Sequence, residues 1–140
     1  MALGANRVAV NLFYEGHTSK SISFHHENLK LSDTENCFAA YYNLGVCHRA
    51  LGQYEQAVSC LETALEWCRQ RGEAESECIT LGQLAVTYKA MEQYQRALEE
   101  FEKSADICRR LKKITLLAEN LQQMLLITCY YSLSSSDRIL

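Results

Sequence analysis

The middle of the chain repeats apolar residues three and four positions apart, which is the spacing of a helix that buries one face. This pattern is interrupted at Leu51-Gly52-Gln53 and again at Gly72, so it predicts two helices joined by a short turn. Gly52 suits the left-handed conformation that follows the end of many helices. The apolar stripe of the first helix consists of Ala40, Tyr41, Leu44, Cys47 and His48, and that of the second of Tyr54, Ala57, Val58, Leu61, Ala64, Leu65 and Cys68.

The same hairpin occurs again 40 residues further along the chain. Leu44-Gly45 then falls on Leu84-Ala85, and Tyr54 falls on Tyr94. A repeat of this length is typical of a solenoid, in which one supersecondary unit stacks on the next. The other residue pairs that match under this shift are Ala50 with Ala90, Gln53 with Gln93, Ala57 with Ala97, Leu61 with Phe101 and Cys68 with Cys108.

Two weaker copies extend the array in both directions. Val8-Ala9 and Gly16 correspond to the first-helix and turn positions, and Leu121 with Met124 begins a further copy. The sequence therefore predicts one array over 1–131, with copies at about 5–31, 38–71 and 78–111, a partial fourth copy at 115–131, and a polar C-terminal tail at 132–140.

Small residues recur where the two helices of each copy face each other. Gly45 or Ala85 on the first helix and Ala57 or Ala97 on the second predict a close approach, because a larger side chain would cost ~1–3 kcal/mol through overpacking. A single hairpin cannot bury its apolar face alone, so the copies are expected to stack. Copy three has Glu92 where copy two has Gly52. Its turn therefore either adopts the same backbone geometry without a glycine or adopts a different geometry.

The composition narrows the class of protein. The chain has 140 residues, of which 48% are apolar and 22% are charged, as in an ordinary globular domain. The absence of proline and the presence of only 6 glycines favour helices over sandwiches and barrels. The net charge of −3 provides no basic field for nucleic acid, and the run Arg109-Arg110-Leu111-Lys112-Lys113 is typical of a solvated helix end. The apolar run from Met124 to Leu133 is about half the length that spans a bilayer.

The 7 cysteines form no C-x-x-C pair and match no spacing of a zinc framework. We therefore expect reduced thiols, no metal and no disulfide, in a protein of the cytoplasm, with a nuclear or cytoskeleton-associated location left open. The first residues lack the pattern of a secretory signal. No glycine-rich phosphate loop or H-E-x-x-H pattern occurs, so we predict no catalytic residue, no cofactor and no enzymatic activity.

The residues of each hairpin resemble the tetratricopeptide repeat (TPR). The positions that carry the resemblance in copy two are Tyr41, Leu44-Gly45, His48, Gly52-Gln53-Tyr54, Ala57, Leu61 and Ala64. Those in copy three are Leu81, Leu84-Ala85, Tyr88, Tyr94, Ala97, Phe101 and Ser104. The period, longer than the usual period of about 34, resembles that of the LGN (Pins) and rapsyn group of TPR adaptors. The resemblance implies an all-α, right-handed superhelical stack of antiparallel helix hairpins that acts as a protein-interaction scaffold.

The resemblance also implies a concave groove, lined by the first helix of each copy, that binds a partner peptide. The repeat register places on this face Tyr42, Asn43, Val46, Arg49 and Ala50 of copy two, and Gly82, Gln83, Val86, Lys89 and Ala90 of copy three. Asn43 and Gln83 can form hydrogen bonds with a peptide backbone, and Arg49 and Lys89 can pair with carboxylates. The groove is thus expected to hold a protein or peptide segment with acidic residues.

Two alternatives stay open at the level of the sequence. The candidate groove residues could form a solvated helix face that has no specific ligand. The chain could instead be a structural subunit that self-associates into a homo-oligomer through exposed repeat ends. Met124-Leu125-Leu126-Ile127 bears on the second alternative, because it forms either a capping helix or an exposed apolar surface.

Overall fold

The computed structural model describes residues 19–20, 22–23 and 37–137. Over these residues the chain forms helices and tight turns and contains no strand, which confirms the predicted all-α class. The five consecutive helices from Cys37 onward are α1 Cys37–Ala50, α2 Tyr54–Arg71, α3 Ala74–Ala90, α4 Tyr94–Leu111 and α5 Ile114–Asp137. Most of the predicted first copy, 5–31, lies outside the described residues; the described parts of it, 19–20 and 22–23, are helical.

The chain divides into two compact units, Met1–Glu73 and Ala74–Leu140. In the first unit α1 packs against α2. In the second unit α3 packs against α4, which in turn packs against α5. The helix α5 extends into the segment 132–140, for which the sequence predicted a polar tail. The assignment of 1–131 to one array stays a prediction.

The turn within each hairpin has the same geometry with and without glycine. Gly52, between α1 and α2, has φ 76°, the left-handed conformation predicted for it, and Gly72 ends α2 with φ 67°. Glu92, between α3 and α4, has φ 61°, although a side chain is unfavourable in this conformation. In both hairpin turns the N–H of the next residue bonds to the carbonyl five positions back, at 2.8 and 2.9 Å. Copy three therefore keeps the turn without its glycine.

The close approach of α1 and α2 depends on small residues. A Cβ atom at Gly45 would lie 2.6 Å from Cγ of Leu61 and 3.3 Å from the carbonyl oxygen of Ala57, so Leu61 would have to move. Ala57 itself is completely buried. The equivalent residues of the second unit, Ala85 and Ala97, are completely buried as well. The predicted close approach is confirmed at Gly45 and Ala57, and Ala85 and Ala97 lie in the core of the second unit.

The last helix, α5, buries only part of its apolar surface. Asn120 and Ile127 are 3% and 1% exposed. The ring of Tyr94, at the start of α4, contacts the rings of Tyr130 and Tyr131 with centroids 5.3 and 5.4 Å apart. The leucines of α5 that are exposed are Leu121, Leu125, Leu126 and Leu133. The second unit thus presents an apolar face along α5.

Candidate functional site

Helices α3 and α5 of the second unit border an open cavity of about 400 Å³, which we call the α3–α5 groove. The lining consists of Ile79, Gly82, Gln83, Val86 and Lys89 from α3, Phe101 from α4, and Leu116, Glu119, Asn120, Gln122 and Gln123 from α5. The structure thus brings the sequence-predicted residues Gln83, Val86 and Lys89 together in one wall, because residues three and four apart lie on one face of a helix. The groove combines apolar side chains, amides and one charge of each sign.

Lys89 reaches from α3 across to α5. Its Nζ donates a hydrogen bond to Oε1 of Gln123 at 2.7 Å. Because the amide oxygen is neutral, this bond orients the ammonium group without cancelling its charge. Gln123 was missed by the sequence analysis, although the 40-residue register places it at the position of Gln83. The repeat itself was the signal that could have identified this residue.

Asn120, on α5, is a buried polar residue in the lining of the groove. Its Nδ2 donates to Oγ of Ser104 at 2.7 Å, and Oγ of Ser104 donates to the carbonyl oxygen of Cys78 at 2.9 Å. A hydroxyl has a single proton, so Ser104 must accept from Asn120, and this fixes the orientation of the amide. The carbonyl oxygen of Asn120 then faces Gly82. A Cβ atom built on Gly82 would lie 3.8 Å from this oxygen.

Two charged side chains, Lys89 and Glu119, belong to the lining of the α3–α5 groove. Glu119 is exposed and directly precedes Asn120 on α5. The four steps along the helix from Glu119 to Gln123 amount to a rise of about 6 Å, and the ammonium of Lys89 is bonded to Gln123. Opposite charges therefore lie about one helical turn apart along this wall of the groove.

In the first unit, the predicted residues Tyr42, Asn43, Val46 and Arg49 belong to α1 and are all half-buried. Tyr42, Val46 and Arg49 follow one another at four and three positions, so they lie on one face of the helix. Burial lowers the pKa of Arg49 below its usual value, and the nearby Tyr42 acts in the opposite direction. Because arginine stays protonated at neutral pH, this face of α1 carries a positive charge.

Two buried thiols contact each other between α3 and α4. Sγ of Cys78 lies 2.7 Å from Sγ of Cys108, and both cysteines are free. Burial, followed by the hydrogen bond with Cys78, raises the pKa of Cys108 to about 11. A thiol with this pKa is almost entirely protonated at neutral pH and is therefore a poor nucleophile. Among the described residues, no group of three His, Cys, Asp or Glu side chains is placed to hold a metal ion.

We predict that Cys129 reacts first when the native protein is treated with an aromatic disulfide reagent at neutral pH, because its side chain is exposed. Cys108 should react far more slowly, and its rate should increase as the pH rises towards about 11, where its thiolate forms. The absorbance of the released thiolate measures both phases. Cys129→Ser is the control, and it should remove the fast phase.

In denaturant all 7 thiols of the sequence should titrate. Two or more missing thiols in freshly purified protein would contradict the prediction of reduced cysteines.

The basic run at the end of α4 is partly neutralised. Nη1 of Arg109 lies 2.8 Å from the carboxylate of Asp106, and Nζ of Lys113 lies 3.0 Å from that of Glu75. Both ion pairs are on the surface, as expected for a solvated helix end. Within the described ranges, none of the helices combines the length and the apolar character needed to cross a membrane.

Antiparallel helix hairpins at a regular period define an α-helical repeat protein. The family profile described as tetratricopeptide repeat matches residues 36–110, which is more than half of the chain. The chain therefore belongs to the tetratricopeptide-repeat family, as its motifs predicted. The finer likeness to the LGN (Pins) and rapsyn group stays a prediction. No curated protein matches the sequence.

Several solved structures share this fold. Aspartyl phosphate phosphatase F from Bacillus subtilis matches 98% of the chain with a TM-score of 0.84 at 18% identity, and the chain spans only 37% of that protein. The N-terminal domain of stress-induced protein-1 (STI-1) from C. elegans matches 85% of the chain and is covered over 93% of its own length, with a TM-score of 0.68 at 12% identity. A putative kinesin light chain from Podosopora anserina, with nearly identical TPR-like repeats, matches 89% of the chain and is covered over 69%, with a TM-score of 0.70 at 18% identity. At these identities the likeness concerns the fold, and it confirms the TPR-like solenoid.

Proposed function

We propose that the chain is a protein-interaction scaffold that holds an extended segment of a partner protein in the α3–α5 groove. The observation that carries the proposal is the lining of this groove, in which the amides of Gln83 and Gln123 and the ammonium of Lys89 adjoin apolar side chains. Membership of the TPR family supports it, since stacked repeats form extended binding surfaces. The proposed function requires no catalytic residue and no cofactor.

The groove offers an extended peptide three kinds of contact. Side-chain amides both donate and accept hydrogen bonds, so Gln83 and Gln123 can pair with N–H and C=O groups of the peptide backbone. The ammonium of Lys89 has further N–H donors beyond the one bonded to Gln123, and these can bond to a carboxylate of the peptide. Val86 and Leu116 supply apolar surface for peptide side chains. These contacts favour a partner segment that carries an acidic residue.

The first unit offers a second candidate surface on α1, formed by Tyr42, Asn43, Val46 and Arg49. We include it because the repeat register places Asn43, Val46 and Arg49 where copy three has Gln83, Val86 and Lys89. The guanidinium of Arg49 can pair with a carboxylate in bidentate geometry. An acidic segment is therefore the proposed ligand of this surface as well.

Lys89→Glu is expected to weaken peptide binding by more than about tenfold, because a charge-assisted hydrogen bond contributes ~1.5–3 kcal/mol and each ~1.4 kcal/mol is a factor of ten. The probes are fluorescent short peptides selected from a random display library on the unmodified protein, and anisotropy reports their binding. Binding should also weaken with added salt, which screens the exposed part of the pair. The matched control is Lys103→Glu on α4, because Lys103 is 54% exposed and does not belong to the groove lining.

Two outcomes would contradict the proposed function. One is the failure of the selection to yield any peptide that binds the unmodified protein. The other is an unchanged affinity of the Lys89→Glu variant for the selected peptides, with a circular dichroism spectrum like that of the parent. In that second case the peptides would bind outside the α3–α5 groove.

Self-association is the second candidate function, and the exposed leucines of α5 favour it. Leu125 is 64% and Leu133 is 69% exposed, and contiguous exposed apolar surface marks many interaction sites. Under this alternative α5 packs on a second copy of the chain and the groove holds no peptide. Sedimentation equilibrium separates the two functions, since only self-association makes the mass depend on protein concentration.

A further inference from the structure

The carbonyl oxygen of Asn120 is a buried acceptor to which no donor among the described residues bonds. The residue is 3% exposed, and its hydrogen bonds within the described part of the chain, to Ser104 and Cys108, both come from the Nδ2 side of the amide. Ser104 fixes the orientation of this amide: its hydroxyl proton goes to the carbonyl oxygen of Cys78, so its oxygen can only accept from Nδ2 of Asn120. Most buried polar atoms in proteins have a hydrogen-bond partner, so an acceptor left open beside a groove points to a ligand that supplies the donor.

Gly82 and Asn120 both line the α3–α5 groove, and Gly82 has no side chain that could cover this oxygen. A Cβ atom on Gly82 would lie 3.8 Å from Oδ1 of Asn120 and 4.0 Å from Oγ of Ser104. The missing side chain therefore makes a small pit in the wall of α3, with the Asn120 oxygen at its base. The amide is not required by the repeat, because the register places Thr80 and Ala40 at the same position and both are completely buried.

The two charges of the groove lie on either side of this pit along α5. Glu119 directly precedes Asn120, and the ammonium of Lys89 is held at Gln123, three residues beyond it. The distance along the helix from Glu119 to Gln123 is about 6 Å. An extended peptide advances about 3.3 Å per residue. Two residues of an extended peptide therefore span the distance along α5 between the negative charge of Glu119 and the positive charge of Lys89.

We propose, on the basis of the proposed peptide-binding function, that the α3–α5 groove selects a mixed-charge segment centred on a small residue. The backbone N–H of the small residue enters the pit at Gly82 and donates to Oδ1 of Asn120. A basic side chain on one side of it pairs with Glu119, and an acidic side chain on the other side pairs with Lys89. The partner is thus a protein with an exposed segment in which a basic and an acidic residue flank glycine or alanine.

Synthetic peptides with fixed centres test the sequence preference. The probes have Lys-Gly-Glu or its reverse, Glu-Gly-Lys, at the centre, and the comparison peptides have Glu-Gly-Glu or Lys-Val-Glu. We expect one of the two mixed-charge orders to bind at least about tenfold more tightly than both comparison peptides, since each lost contact is a charged or buried hydrogen bond. Equal or tighter binding of Glu-Gly-Glu would overturn the mixed-charge preference.

Gly82→Ala tests the pit, because its effects on stability and on binding are expected to have opposite signs. The added methyl group fits at ordinary contact distance, and alanine is a better helix former than glycine. The melting temperature should therefore rise by about 2–4 °C. The same methyl group covers Oδ1 of Asn120, so binding of the mixed-charge peptide should weaken by at least about tenfold.

Glu92→Gly is the matched control for Gly82→Ala. It relieves the left-handed conformation of a non-glycine residue, so it should raise the melting temperature by a similar amount, and Glu92 does not belong to the groove lining. Peptide binding should be unchanged in this variant. If Gly82→Ala binds like the parent while Lys89→Glu binds weakly, the role of the pit is wrong and the proposed function stands. If no peptide of either kind binds the parent, both are wrong.

Discussion

Ala57→Glu is expected to lower the free energy of unfolding by about 3–5 kcal/mol, the cost of a buried charge without a partner. Ala57 is completely buried. Its carbonyl oxygen would lie only 3.3 Å from a Cβ atom on Gly45, so α1 and α2 are in contact at this point. A carboxylate there would need both space and water, and the hairpin provides neither.

Urea denaturation followed by circular dichroism measures this effect. The matched control is Ala118→Glu, which makes the same substitution at an exposed position of α5 and should change stability by less than about 0.5 kcal/mol. The spectrum of the parent should show dominant helix. A variant Ala57→Glu that unfolds at the same urea concentration as the parent would show that the repeat register is wrong.

Phe101→Ala is expected to lower the free energy of unfolding by about 3–5 kcal/mol, since it leaves a cavity in the core of the second unit. Phe101 is 1% exposed and is among the largest fully buried side chains of the described residues. Phe101 also lines the α3–α5 groove, so the same substitution should remove apolar surface from the groove lining and weaken peptide binding. The effect on stability therefore accompanies an effect on peptide binding.

Phe101→Leu is the matched control, because the 40-residue register places Leu61 at this position in copy two. The cost of this exchange should be less than about 1.5 kcal/mol, as for other hydrophobic replacements that nearly preserve volume. Thermal and urea unfolding of the three proteins measure the difference. An alanine variant as stable as the leucine variant would mean that the aromatic position does not pack as the structure describes.

Local patterns in the sequence were sufficient to predict the helices and the turns between them. The glycines at 52 and 72 mark ends of helices where the structure has φ 76° and 67°. At Glu92 the sequence leaves the geometry of the turn open, because a non-glycine residue permits either the same turn or a different one. The structure has the same turn there, with φ 61°, since the N–H of Gln93 still closes the end of α3 at 2.9 Å. The backbone bond compensates for the less favourable side chain.

One wall of the candidate site was also predictable, and the other was not. Gln83, Val86 and Lys89 follow from the register of a repeated helix, because residues on one helix face are set by spacing alone. Asn120 lies on α5, where the repeat is weak, and its equivalents Thr80 and Ala40 give no sign of a buried amide. Its role depends on a hydrogen bond to Ser104 on another helix.

The sequence by itself determined the all-α fold, the hairpins and the TPR family, because helix periodicity, turn residues and small contact residues are local and recur at a fixed interval. Only the tertiary structure decided which side chains meet in the α3–α5 groove. Lys89 bonds to Gln123, 34 positions away, and the oxygen of Asn120 faces Gly82 because Ser104 holds the other side of the amide. Such contacts depend on the packing of three helices, and periodicity along one helix carries no information about them.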